Sequence, residues 1–129
     1  MENIYEELFE KAKKASENAY CPYSKFPVGS SILYESGNIY TGCNVENVSF
    51  GLTLCAERNA MAAAVSAGEK TGIKTIAIYS PKQKKCMPCG ACRQWLNEFA
   101  SSEELKIILE GENGLTILTL KEIFPHGFK

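Results

Sequence analysis

Hydrophobic and polar positions divide the chain into short periodic segments. Ile4, Leu8, Ala12, Ala15 and Ala19 recur at helical spacing with Glu and Lys on the other faces, so residues 2 to 19 should form an amphipathic helix. Pro22 should end it, with Cys21-Pro22-Tyr23-Ser24 as a turn. Pro27 to Tyr34, carrying Val28, Ile32 and Leu33, reads as a strand, and Ser36-Gly37-Asn38 turns it back into Ile39 to Asn44 as a hairpin. Asn47 to Thr53 reads as a loop. The next segment, Cys55 to about Ala67, is apolar almost all round through Ala60, Met61, Ala62, Ala63, Ala64 and Val65, which predicts a buried helix ended by Gly68.

Lys74 to Tyr79 is a β-rich run expected at the centre of a sheet. The lysine-rich stretch Lys82 to Lys85 leads to a helix whose apolar side carries Trp95, Leu96 and Phe99. Leu105 to Leu109 and Leu115 to Leu118 read as strands joined by a Gly111-Glu112-Asn113-Gly114 turn, with a short helix over Leu120 to Ile123. The order helix, hairpin, helix, strand, helix, strand, strand predicts an α/β layered domain with helices on both faces of a mixed sheet.

Length and charge narrow the function classes. A chain of 129 residues fits one domain, 1–129, with a real core. Fourteen basic against fifteen acidic side chains give a formal net charge of −1, which offers no general attraction to nucleic-acid phosphates or anionic membranes. No apolar run is long enough to span a bilayer, and the first residues lack the basic-then-apolar character of a signal peptide, so the expected location is cytoplasmic. In a reducing compartment the six cysteines point to metal or catalysis rather than to disulfides. Cys21 and Cys43 lack metal-like spacing and read as small buried residues.

The chemistry concentrates in Cys55-Ala56-Glu57-Arg58 and Pro88-Cys89-Gly90-Ala91-Cys92-Arg93-Gln94. Each reads as a helix opening, where the positive end of the helix dipole favours thiolates. Cys89 and Cys92, at i and i+3, share one face of a first turn. Three soft sulfurs, Cys55, Cys89 and Cys92, suit Zn²⁺ and leave a fourth tetrahedral position for water. Glu57 is close enough in sequence to serve that water as a proton carrier, and Arg58 and Arg93 are placed to offset the remaining negative charge. One alternative is a closed structural site: Cys86 could complete a four-sulfur cage and leave no open position. A redox pair is a weaker alternative, since it leaves Cys55 and Glu57 without a role.

At these residues the chain resembles the small, homotetrameric, zinc-dependent cytidine deaminases that act on free nucleosides. The likeness extends from Tyr20-Cys21-Pro22-Tyr23-Ser24-Lys25-Phe26-Pro27-Val28-Gly29, through Gly42-Cys43-Asn44-Val45-Glu46-Asn47 and the two cysteine pieces, to Phe124-Pro125. The resemblance implies a three-layer α-β-α sandwich around a mixed five-stranded sheet, one Zn²⁺ per chain, a homotetramer, and hydrolysis of cytidine and 2′-deoxycytidine to the uracil nucleosides and ammonia. It implies, further, that Glu57 is the proton carrier and that Arg58 and Gln94 hold the cysteine sulfurs. Asn44 and Glu46 would hold the ribose hydroxyls, Phe26 would wall the pyrimidine pocket, and the Ala56 backbone would bind the base. Phe128 would reach a neighbouring subunit's pocket. Rival readings are a deaminase of a cytosine-bearing antibiotic or modified nucleoside, and a non-catalytic zinc module. Met87, Phe50 and Asn59 depart from the family's usual residues, Ser, a hydroxylated aromatic and Thr, without touching the ligands. His126, the only histidine, reads as an exposed turn residue.

Overall fold

Strand alternation sorts the apolar side chains onto two faces, and each face is covered by helix. A computed structural model describes residues 2–129. Helix α1 (Glu2–Ser16) precedes the hairpin β1 (Gly29–Tyr34) and β2 (Ile39–Cys43); α2 (Ala56–Ser66), β3 (Ile73–Tyr79), α3 (Gly90–Phe99), β4 (Lys106–Gly111), β5 (Gly114–Thr119) and the short α4 (Leu120–Ile123) follow. The strands form one sheet in the order β2-β1-β3-β4-β5. β1 is antiparallel to both β2 and β3, β3 runs parallel to β4, and β4 is antiparallel to β5. The expected mixed five-stranded sheet within an α-β-α sandwich is therefore present.

Ala77 and Ile108 face α1, where they pack with Leu8, Phe9 and Ala12. Ile76, Ile78 and Ile107 point to the other face, against Ala60, Met61 and Ala64 of α2 and Leu96 of α3. Each such Ile or Leu, fully withdrawn from water, contributes about 1.5–3 kcal/mol of transfer free energy. Two glycines let the helices approach this closely. A Cβ on Gly29 would lie 1.9 Å from the Ala12 carbonyl oxygen of α1, and one on Gly42 would lie 2.5 Å from the Ala60 nitrogen of α2. Any side chain at Gly42 would lift α2, and the cysteine at its N-cap, off the sheet.

Several elements differ from the pattern reading. α1 stops at Ser16, well before Pro22, because the Tyr20 N–H donates to the Asn44 carbonyl and Tyr20 accepts from the Glu46 N–H, drawing the chain into extended pairing. A 3₁₀ turn, Phe50–Leu52, lies inside the expected loop. α2 is not buried all round: Ala56, Glu57, Ala60, Met61 and Ala64 are covered, whereas Ala62, Ala63 and Val65 are exposed, because the sheet packs against one side only. Trp95 also faces solvent, tilted against Phe99, while Leu96 fills the core.

The far end of α2 is fixed by Glu69, whose carboxylate accepts from Ser36 Oγ (3.1 Å), Asn38 Nδ2 (3.2 Å), Tyr40 OH (3.0 Å), and the Thr71 N–H (3.1 Å) and hydroxyl. These donors, the Thr71 hydroxyl first, hold the Glu69 carboxyl down at about 2 against the usual 4.5. A carboxyl depressed in the folded state adds stability above its unfolded pKa and loses it as pH falls through the folded value. Glu69→Gln should therefore melt at a lower temperature than wild type at pH 7, with the gap closing between pH 4.5 and 2. Thermal melts across that range check it, and a gap independent of pH would show that the charge is not what clamps the turn.

Candidate active site

Because β1 is antiparallel to both of its neighbours, β2 and β3 run in the same direction. The connections leaving them therefore start at the same edge of the sheet, and α2 and α3 cover the same face. Their N-termini meet there. Cys55 is the N-cap of α2 and Cys89 the N-cap of α3, both with extended backbone, and neither helix start receives a side-chain cap. Cys92 lies one turn into α3, fully buried.

The three sulfurs form a tight cluster. Cys55 Sγ is 3.8 Å from Cys89 Sγ, and Cys89 Sγ is 3.5 Å from Cys92 Sγ. All three ligand atoms lie within 4.8 Å of one another. Cys86 is not in this group; it packs against the main core. The closed four-sulfur cage is therefore not formed. Three converging thiols at two helix starts are a donor set suited to zinc and leave one coordination position free of protein. Hydrogen bonding from the Cys92 thiol, then from Arg58 and Cys89, pulls Cys55 down to about 5, whereas Cys92, the donor of that bond and buried, is pushed up. Arg58 Nη2 lies 3.5 Å from Cys55 Sγ and 3.4 Å from the Thr53 carbonyl.

Glu57 is 4 % exposed. Burial, and secondarily the Cys55 thiolate, raise its carboxyl to about 7. It sits in the wall of a cavity of about 370 Å³ that Cys55, Ala56 and Cys89 share, together with Ser24, Phe26, Val28, Asn44, Glu46, Thr53, Cys86 and Met87. Burial also pushes the Cys86 thiol up to about 11, with Glu57 and Cys55 adding to it, so it stays neutral.

The polar end of the cavity is held by two side chains. Asn44 Oδ1 accepts from the Val28 N–H (2.9 Å), and its Nδ2 donates to the Phe26 carbonyl (2.9 Å). Glu46 Oε1 accepts from the N–H groups of Tyr23 (3.1 Å) and Ser24 (3.2 Å), and Oε2 accepts from the Ser24 hydroxyl. These bonds, the Ser24 hydroxyl foremost, lower the Glu46 carboxyl below its usual range and keep it ionised.

Cys55, Ala56, Glu57, Cys89, Phe26, Asn44 and Glu46 thus line one cavity, and Cys92 meets the two sulfurs. Gln94 and Arg93 turn elsewhere. Gln94 Nε2 donates to the Phe128 carbonyl (2.9 Å) instead of a sulfur, and Asn97 Nδ2 donates to the same oxygen (2.8 Å). Arg93 donates through Nε to the Pro88 carbonyl and through Nη1 to the Ile123 carbonyl, both at 2.8 Å, so it ties the loop before α3 to α4. Phe128 is 75 % exposed and lines none of this chain's cavity. Conversely, the wall positions of Val28 and Thr53 and the hold of Ser24 on Glu46 were not foreseen. No spacing signal marks them, because the contacts cross from one segment to another.

The profile of the cytidine and deoxycytidylate deaminase zinc-binding region matches residues 2–108. The chain belongs to that family. A cytidine deaminase of Sporosarcina psychrophila is 41 % identical over 123 residues, 95 % of this chain and 90 % of that protein. The crystal structure of a cytidine deaminase from Burkholderia pseudomallei superposes with a TM-score of 0.87 at 38 % identity, covering 95 % of this chain and 98 % of its own. That of the Mycobacterium tuberculosis cytidine deaminase gives 0.84 at 38 % identity, over 97 % of each chain. The zinc-binding description of the family agrees with the donor set that the two helix starts assemble.

Metal content separates the open three-sulfur site from the four-sulfur cage. Cys86→Ser should retain about one zinc per chain, whereas Cys89→Ser should lose most of it, since zinc sites with three protein ligands depend on each. Atomic absorption of the two purified variants decides between them, and zinc loss in Cys86→Ser would restore the cage.

Proposed function

We propose that this protein hydrolyses the 4-amino group of cytidine and 2′-deoxycytidine, giving uridine and 2′-deoxyuridine with release of ammonia. The observation that carries the proposal is a buried carboxyl, Glu57, two residues beyond the first sulfur of a cysteine triad, in a cavity that the polar side chains of Asn44 and Glu46 also line. Zinc held by Cys55, Cys89 and Cys92 supplies Lewis acidity and eases the ionisation of water.

The side chains account for the rest. Water adds at C4 of the ring while the Glu57 carboxylate takes its proton and delivers it to N3. Glu57 then takes the proton of the new C4 hydroxyl and passes it to the leaving amine as the C4–N bond breaks and C4=O forms, so that cytidine and water become uridine and ammonia. A carboxyl poised near neutrality by burial is suited to accept and return a proton in one turnover. The Ala56 N–H, at a helix start with no intrahelical acceptor, donates to the base. Phe26 lies along the cavity wall, where its ring covers the pyrimidine.

Hydrogen-bond capacity at the polar end fits a sugar diol. Glu46 has used three of its roughly four acceptor positions, and Asn44 retains one N–H and one lone pair. Two hydroxyls can therefore donate to Glu46 and Asn44 while one accepts from Asn44. An ionised Glu46 repels a phosphate, which favours nucleosides over nucleotides. The activity belongs in pyrimidine salvage, and a cytoplasmic setting keeps the six free cysteines reduced.

Production of uridine from cytidine, abolished by a zinc chelator and restored by added zinc, tests the reaction. Glu57→Gln should keep its zinc while kcat falls by about 10²–10⁴-fold, the range for losing a general acid–base. Unchanged turnover at full zinc content would remove Glu57 from the mechanism.

The homotetramer implied by the resemblance is part of the proposal. The open side of α2 and the exposed Val48, Phe50 and Leu52 give apolar surface for partner subunits, and Phe128 is free to serve a neighbour's cavity. Sedimentation equilibrium should give about four times the 14.2 kDa chain mass, and a fully active monomer would remove the role of Phe128.

A further inference from the structure

We propose that Lys25 is a positioning residue: its left-handed backbone joins the segments that hold Glu46 and Asn44, and so sets how strongly the site prefers a nucleoside bearing ribose hydroxyls. The inference rests on the deaminase reading of the cavity given above. Lys25 has a φ of 58°, in the left-handed region where a Cβ crowds the following carbonyl. Glycine has no Cβ to crowd, and the short polar side chain of Asn eases it into this region. Lysine has neither advantage. A residue kept in such a conformation is one whose surroundings over-determine it.

The fastenings lie on either side of Lys25. Before it, the N–H groups of Tyr23 (3.1 Å) and Ser24 (3.2 Å) and the Ser24 hydroxyl bind the Glu46 carboxylate. After it, the Phe26 carbonyl accepts from Asn44 Nδ2 and the Val28 N–H donates to Asn44 Oδ1, both at 2.9 Å. Two bonds close the turn across the joint: the Lys25 N–H donates to the Cys21 carbonyl (3.0 Å), and the Phe26 N–H donates to Ser24 Oγ (3.0 Å). The backbone direction at Lys25 therefore decides whether Glu46 and Asn44 are both held at once, with Phe26 in the cavity wall. The side chain contributes little to this. Lys25 is exposed, and among the described residues its ammonium forms no ion pair. Its charge helps to keep Glu46 ionised, but behind the hydrogen bonds from Ser24 and Tyr23. What position 25 supplies is a dihedral angle.

The test compares cytidine with 2′,3′-dideoxycytidine on the zinc-loaded protein, in wild type and in four variants: Lys25→Gly, Lys25→Asn, Lys25→Val and Lys25→Pro. Wild type should prefer cytidine by about 100-fold in kcat/KM, because the dideoxy sugar leaves Glu46 and Asn44 without their hydroxyl partners. Lys25→Pro cannot adopt a positive φ and should lower that preference by about tenfold, through KM for cytidine and with kcat little changed. Lys25→Val, β-branched and ill suited to the left-handed region, should lower it by about fivefold. Lys25→Gly and Lys25→Asn, which accept that region, should stay within about twofold of wild type although the charge is gone. Calorimetric binding of uridine and 2′,3′-dideoxyuridine gives a second readout, and the ratio of Kd values should change in parallel. Lys25→Val keeps the test decisive if Lys25→Pro does not fold. A preference that stays within about twofold of wild type in the folded Val and Pro variants would overturn the inference while leaving the deaminase reading intact. An equal loss in Lys25→Gly and Lys25→Asn, or a wild type indifferent to the missing hydroxyls, would do the same. Absence of cytidine turnover by the zinc-loaded wild type would overturn both.

Discussion

The direction of two strands governs this molecule. β2 and β3 run parallel because β1 lies between them and is antiparallel to each, so the segments leaving them emerge at one edge of the sheet. α2 and α3 begin there and pack on one face, which brings two positive helix ends and three sulfurs to a single point. Before any metal contributes, the Cys92 thiol donates to the Cys55 thiolate, and the helix start and Arg58 stabilise that charge. Gly42 matters for the same reason, since only a missing side chain lets α2 sit low enough to place Cys55 within reach of α3.

Two carboxyls in the same cavity are driven apart chemically by their surroundings. Glu57 lies in an almost dry wall beside a thiolate and is raised; Glu46 accepts three hydrogen bonds at the wetter end and is lowered. One can carry a proton near neutrality, while the other stays charged and orients a polar ligand. The cavity wall they share also carries apolar or sulfur-bearing side chains: Phe26, Val28, Cys86 and Met87. A raised carboxyl and an ionised one in the same cavity give it a polarity that the proposed nucleoside would match.

Some loops owe their shape to side chains that do no chemistry. Arg93 bridges Pro88 and Ile123, fixing the entry to α3 against α4, while Gln94 and Asn97 hold the chain near Phe128 along α3. Asn59 Nδ2 donates to the Cys43 carbonyl at 2.7 Å, binding α2 to the end of β2. The ends of the site are thus braced from several directions, which lets the cysteine triad remain close-packed at the surface edge of the sheet.

Local spacing was enough to identify the cysteine pieces, the helix starts that carry them and the alternation of buried strand residues, because those properties depend on neighbours a few positions apart. The same spacing could not decide whether Cys86 joined the sulfurs, since that depends on how the loop before α3 approaches the core. Spacing put Arg93 and the resemblance put Gln94 beside the sulfurs, yet both turn to carbonyls contributed by the C-terminal segment and the loop. It made α2 buried all round from composition, although a helix lying on a sheet is covered only on the side it rests on. Sequence alone therefore determined which chemical groups are available and the turn of helix that presents them. The tertiary structure decided which of them meet, because hydrogen-bond partners and the direction of approach are set by segments far apart along the chain.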